Sequence, residues 1–169
     1  RLKQDLKDGK IIFGGFLTNK QQVLNTNYLK SSFVSKANVM GVDFEYALPD
    51  PAWVVSGYTT TSTLLGTKKI ISEIQRNSAH YFQRPDDKIA LDTTKTQLNG
   101  TSSEISLTKI SGKNLKGSFI YRQISPGYDI NELGYIRSAN TKQLKSYIEY
   151  EDFVPKKYWQ LLSFSFGSW

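Results

Sequence analysis

The chain has 169 residues, 38% hydrophobic, 22% charged and 13% aromatic, a composition that argues against disorder and for one folded domain with an aromatic surplus. No run of 18 apolar residues occurs and the mean hydropathy is −0.43, which excludes a transmembrane helix but not a transmembrane β-barrel, whose strands alternate between lipid and lumen. The absence of cysteine removes disulfide scaffolds and thiolate metal sites, and the net charge of +7 comes from bases spread along the chain without a basic helix or base-stacking motif, so it reads as a solvated face and not as a nucleic-acid site.

In chain order, Lys10 to Thr18 is β-rich and predicts a strand over 10–18, followed by a long connection over 19–36. Residues 38–48 alternate cleanly, with Met40, Val42, Phe44, Tyr46 and Leu48 on one face of a strand and Val39, Gly41, Asp43, Glu45 and Ala47 on the other. A tight turn at Pro49-Asp50-Pro51-Ala52 leads to a strand over 53–63. The long connection over 64–96 contains one short amphipathic helix, since Ile70, Ile71, Ile74 and Ser78 fall on one helical face after Gly66. That helix is too short and too little basic for a membrane surface, and it suits packing against a barrel mouth or plugging its lumen. Further strands are predicted over 98–109, 114–124, 142–153 and 158–169, with tight turns at 110–113 and 154–157 and a long loop over 125–141.

Seven strands of about 10 residues, joined alternately by short turns and long loops, match the up-and-down meander of an outer-membrane barrel, in which a tilted strand needs about 9–11 residues to cross the hydrocarbon. A soluble β-sandwich or lipocalin-like barrel alternates in the same way. Two details favour the membrane. One face is rich in serine, threonine and glycine with scattered charge, and aromatics such as Trp53, Tyr58, Tyr121, Tyr147, Tyr150, Trp159 and Trp169 lie near strand ends. The face expected to meet lipid carries Met40, Val42, Phe44, Ile105, Leu107, Phe119, Ile148, Leu162, Phe164 and Phe166.

Catalytic chemistry is poorly represented. His80 is the single histidine and no nucleophile-elbow sequence accompanies it, Asp86-Asp87 lacks the spaced acidic loop of a calcium site, and the pairs Asp43/Glu45 and Glu149/Glu151 merely share strand faces. No catalytic residue, metal site or cofactor is assigned. The loops offer a different pairing: the Arg84 guanidinium suits bidentate carboxylate binding, and Asp129 and Glu132 on the next long loop are candidate partners. The stretches Gln83 to Asp86 and Tyr128 to Asn131 are therefore expected to dock over the barrel mouth, as a brace or as a ligand-contact surface, with Arg84, Asp86, Asp129, Asn131 and Glu132 as the candidate residues.

Several stretches carry a family likeness: Arg1-Leu-Lys-Gln-Asp5, Gln75-Arg-Asn-Ser-Ala-His-Tyr-Phe-Gln-Arg-Pro-Asp86, Leu98-Asn-Gly100, Lys109-Ile-Ser-Gly112 and Ser125-Pro-Gly-Tyr-Asp-Ile-Asn-Glu-Leu-Gly-Tyr135. In order and spacing the chain resembles the carboxy-terminal domain of unknown function of large Gram-negative surface proteins that begin with a carbohydrate-binding family-9-like domain. The resemblance implies an interior slice of an outer-membrane β-barrel, located in the cell outer membrane. Its implied partners are lipid, the remaining strands of the same barrel, and a glycan or other surface proteins. The expected function is surface binding or passage of a solute, with a glycan link through the amino-terminal module. The alternatives are a soluble carbohydrate-binding β-sandwich and the non-catalytic part of a glycan-processing enzyme.

Overall fold

The computed structural model describes residues 1–50, 52–84, 89–112 and 114–168. Its strands are β1 (Leu2–Leu6), β2 (Ile11–Gln21), β3 (Lys36–Ala47), β4 (Trp53–Leu65), β5 (Gln97–Lys109), β6 (Leu115–Ile124), β7 (Thr141–Asp152) and β8 (Leu162–Ser168). Each pairs antiparallel with its neighbours in sequence, forming one eight-stranded meander. The sheet does not close, and among the described residues β1 and β8 each pair on one side only.

Three features differ from the sequence reading. β1 lies outside the strand expected to be first, pairing Leu2 with Gly15 and Leu6 with Ile11. Its five residues hold only two apolar ones, too few for alternation to register. The turn after it uses three left-handed residues in succession, Lys7, Asp8 and Gly9, held by a hydrogen bond from the Gly9 amide to the Asp5 carboxylate at 2.8 Å. A second short helix, α1 (Asn27–Ser32), sits in the connection over 19–36, capped by the Thr26 hydroxyl. Finally β8 begins at Leu162; ahead of it Lys156 and Trp159 form an isolated bridge. Trp169 lies outside the described residues.

The expected helix is present as α2 (Lys68–Arg76), with Thr67 as its N-cap and Asn77 as its C-cap. Ser78 therefore lies beyond it. Its buried residues are Ile71, Ser72 and Gln75, with Ile70 and Ile74 packed partly behind them. A glutamine occupies the centre because its amide meets a backbone unit: Gln75 Nε2 donates to the Asp92 carbonyl at 2.9 Å, and its Oε1 accepts from the Asp92 amide at 3.0 Å. Both polar ends are satisfied, so its complete burial carries little penalty.

Ile71, Leu64, Leu98, Ala37, Val34 and Phe82 form the core. Ala37, Leu64 and Leu98 stand in one register row on one face of the sheet, at the end where the long loops emerge. The loops and α2 thus fold down onto a single face. The opposite face is left bare.

Candidate functional site

The bare face carries the apolar residues. The register sets Leu17 beside Met40 and Phe13 beside Phe44, then Ile105 beside Tyr121 and Leu107 beside Phe119, and ends with Ile148 beside Phe166 and Tyr150 beside Phe164. Phe44, Met40, Val42, Ile105, Phe119, Ile148, Leu162, Phe164 and Phe166 are 36 to 66% exposed, and Leu107 is half-buried. Contiguous exposed apolar surface marks a site of contact with protein, ligand or membrane.

This belt runs obliquely. It is centred on Gly14 in β2 (Ile11 to Leu17) and on Asp43 in β3 (Met40 to Tyr46), which are register partners. Followed onward through the pairings, that row would meet β8 seven residues beyond Phe164, the centre of its apolar run. Seven residues at about 3.3 Å each, over six strand spacings of about 4.8 Å, give a slant near ~40° between the belt and the register rows. Strands tilted about 35–45° to a level apolar layer have this relation. At the short-turn end the belt is edged by Tyr46, Trp53 and Tyr150, with Lys109 Nζ 5.3 Å from the Trp53 ring centroid. Tyr58 and Tyr147 do not belong to this edge: their registers, opposite Asp43 and Ser118, put them on the inner face.

The inner face is polar, and the loop over 125–140 lies across it. The loop is fastened at β5 by a reciprocal pair, Ser125 N to the Thr101 carbonyl at 2.8 Å and Thr101 N to Ser125 Oγ at 2.7 Å. It then presses backbone to backbone on Gly100, where a Cβ would come within 2.0 Å of the Tyr128 nitrogen, so no larger residue fits. Over β4, the Tyr128 and Thr60 hydroxyls are 2.7 Å apart and the Asp129 amide donates to Ser62 Oγ at 2.9 Å. At its far side Glu132 accepts from Lys20 Nζ of β2 at 2.6 Å and from Gln22 Nε2 at 3.3 Å. The loop therefore bridges β5 to β2 across the inner face.

His80, from the turn after α2, locks this loop in place. Its side chain is fully buried, Nδ1 is 2.8 Å from the Pro126 carbonyl oxygen, and Nε2 is 2.8 Å from Asp129 Oδ2. Burial alone would push the Asp129 carboxyl up, but hydrogen bonds from His80 and from the Asn131 amide at 2.7 Å together hold it below the usual carboxylate value. The His80 ring is thus held at both nitrogens, by the Pro126 carbonyl on one side and the Asp129 carboxyl group on the other. Burial also raises the Tyr128 phenol.

The candidate residues are thus placed as follows. Asp129, Asn131 and Glu132 share one loop, and that loop docks against the segment holding His80. The bond expected from Arg84 comes instead from His80 to Asp129 and from Lys20 to Glu132. Arg84 makes no ion pair with either carboxylate among the described residues, and Asp86 lies outside the described residues. Asn131 works locally: its Oδ1 accepts from the Ile136 amide at 3.0 Å and shapes the loop. Sequence reasoning missed His80, Ser62 and Thr60 as loop-binding groups. The one available signal was that His80 and Asp129 both fall inside the two longest motifs. Among the described residues, no cluster of three or more histidine or acidic side chains is placed to hold a metal ion.

A family model described as a domain of unknown function (DUF5916) matches residues 18–168. The chain belongs to this family. The match begins within β2, just past the belt residues of that strand, and runs to the end of β8, so it takes in the belt from β3 onward, α2 and both docked loops. No curated protein and no solved structure matches the chain. No helix among the described residues is long and apolar enough to cross a membrane, which leaves strand-based crossing untouched.

Proposed function

We propose that this domain is a segment of an outer-membrane β-barrel whose bare face meets lipid and whose inner face lines a solute path, partly covered by its own loops. It serves binding or passage of a solute at the cell surface. The observation that carries this reading is the oblique apolar belt on the face away from the core. A soluble sandwich would cover that belt with a second sheet, whereas here α2 and the loops pack on the Ser/Thr-rich face. The open edges of β1 and β8 are completed by further strands of the same barrel, because each unpaired backbone group in hydrocarbon costs several kcal/mol.

Detergent dependence tests the reading. The chain is expected to stay folded and monodisperse in micelles, to insert into liposomes and to aggregate when detergent is withdrawn. A monodisperse, fully folded chain in plain buffer would replace the barrel with a soluble carbohydrate-binding sandwich.

A further inference from the structure

We propose that the inner face carries a binding site for a neutral saccharide just beneath the loop cover, formed by Phe16, Asp43, Tyr58, Thr60 and Glu104. This rests on the reading of the inner face as solute-lined. The register sets Gly14, Asp43, Tyr58, Glu104 and Arg122 in one row across β2 to β6, and Phe16, Gly41 and Thr60 in the next row towards the loops. A hollow of about 580 Å³ opens here, bounded by Arg1, Phe16, Asp43, Tyr58 and Thr60. That volume lies within the usual range of small-molecule clefts.

Two glycines shape it. A Cβ on Gly14 would lie 2.5 Å from an Asp43 carboxylate oxygen, and one on Gly41 would lie 2.8 Å from the Phe16 ring. With hydrogen there instead, the carboxylate and the ring lie close to the sheet and the floor stays low. The roof is the loop, through the Tyr128 and Thr60 hydroxyls.

The chemistry selects the ligand class. Arg1 stands 3.6 Å from Asp43, and Arg122 is hydrogen-bonded to Glu104, so the row presents planar donors and acceptors with its charges already compensated. An anion would meet two carboxylates, and a cation would have to displace two guanidinium groups. A neutral sugar has an apolar C–H face to lay on Tyr58 or Phe16 and hydroxyls that can bridge carboxylate and guanidinium at once.

The test titrates the chain in detergent micelles with maltose, cellobiose and lactose by calorimetry, with gluconate and putrescine as anion and cation arms. At least one disaccharide is expected to bind saturably, and Tyr58→Ala and Asp43→Asn should each weaken it about tenfold, while Ser165→Ala leaves it unchanged. Far-UV circular dichroism checks each variant, and Tyr58→Phe with Glu104→Gln replaces any that fails to fold. Absence of saturable sugar binding, equal binding of putrescine or gluconate, or affinity unaffected by both substitutions overturns the site. The two readings fail separately: a chain that needs detergent but binds no sugar keeps the barrel and loses the site, and a detergent-free monodisperse chain that binds sugar does the reverse.

Discussion

His80 and Asp129, 49 residues apart, are joined by a 2.8 Å hydrogen bond within a site that admits almost no solvent, their side chains being 0% and 4% exposed. The pair ties the turn after α2 to the loop over 125–140, and the Ala139 amide donating to the Ala79 carbonyl at 2.8 Å reinforces the tie. Removing one partner of a buried hydrogen bond costs about 1–3 kcal/mol, because the remaining polar group stays buried and unsatisfied. His80→Ala is therefore expected to raise amide exchange both over 77–84 and over 125–140. Arg84→Ala, which removes no partner of Asp129 or Glu132, should leave 125–135 unchanged. Exchange rising only beside residue 80 would refute the latch.

Acid should open the same latch. Hydrogen bonds from His80 and the Asn131 amide outweigh burial and hold the Asp129 carboxyl below the usual carboxylate range in the folded chain, so the unfolded chain binds its proton more readily. The stabilisation is then fully present above the unfolded value and is lost as pH falls through the lower, folded one. Proteolysis of the 125–140 loop is expected to be flat from neutrality down to about pH 5 and to rise below about pH 4. Asp129→Asn should remove this acid step, and an unchanged step in that variant would assign it to another group.

Gly100 and Gly15 face the same test with opposite outcomes. A Cβ on Gly100 collides with the Tyr128 backbone, whereas one on Gly15 meets nothing closer than the Gly41 carbonyl at 3.6 Å. Gly100→Ala should cost about 1–3 kcal/mol in urea unfolding and free the loop, and Gly15→Ala should be within about 0.5 kcal/mol of the parent. Equal effects would mean that the loop does not rest on β5.

Phe164 marks the centre of the apolar run on β8, and Ser165 points to the other face opposite Glu149. In lipid, Phe164→Arg is expected to cost about 2–4 kcal/mol of folding stability, and Ser165→Arg far less. Folding yields into liposomes, read by the mobility shift between boiled and unboiled samples, would be equal for the two variants if the face assignment were wrong.

Much of the sheet was legible because strand geometry is written with period two. From Met40 to Leu48 every second residue is large and apolar, and no other regular conformation places those side chains on one face. The same period assigned Met40, Val42 and Phe44 to a single exposed face before any pairing was known. β1 escaped because Leu2 and Leu6 are too few to display the period, and α1 escaped because six residues span less than two helical turns. The membership of α2 was legible, but the role of Gln75 was not, since its partner Asp92 lies in a loop without periodicity.

Which residues alternate and which face is apolar can be read along the chain, because both follow from backbone geometry within ten or so neighbouring residues, whereas the turn at Lys7 to Gly9 and the longer connection between β7 and β8 cannot. It takes the folded chain to show that the loops lie on the polar face, that His80 and not Arg84 meets Asp129, and that Asp43, Tyr58, Glu104 and Arg122 share a row. Those relations depend on inter-strand register and on the backbone contact that Gly100 permits, both of which sum constraints from segments tens of residues apart. A charge in one strand carries no local mark of the charge that will stand beside it about 4.8 Å away.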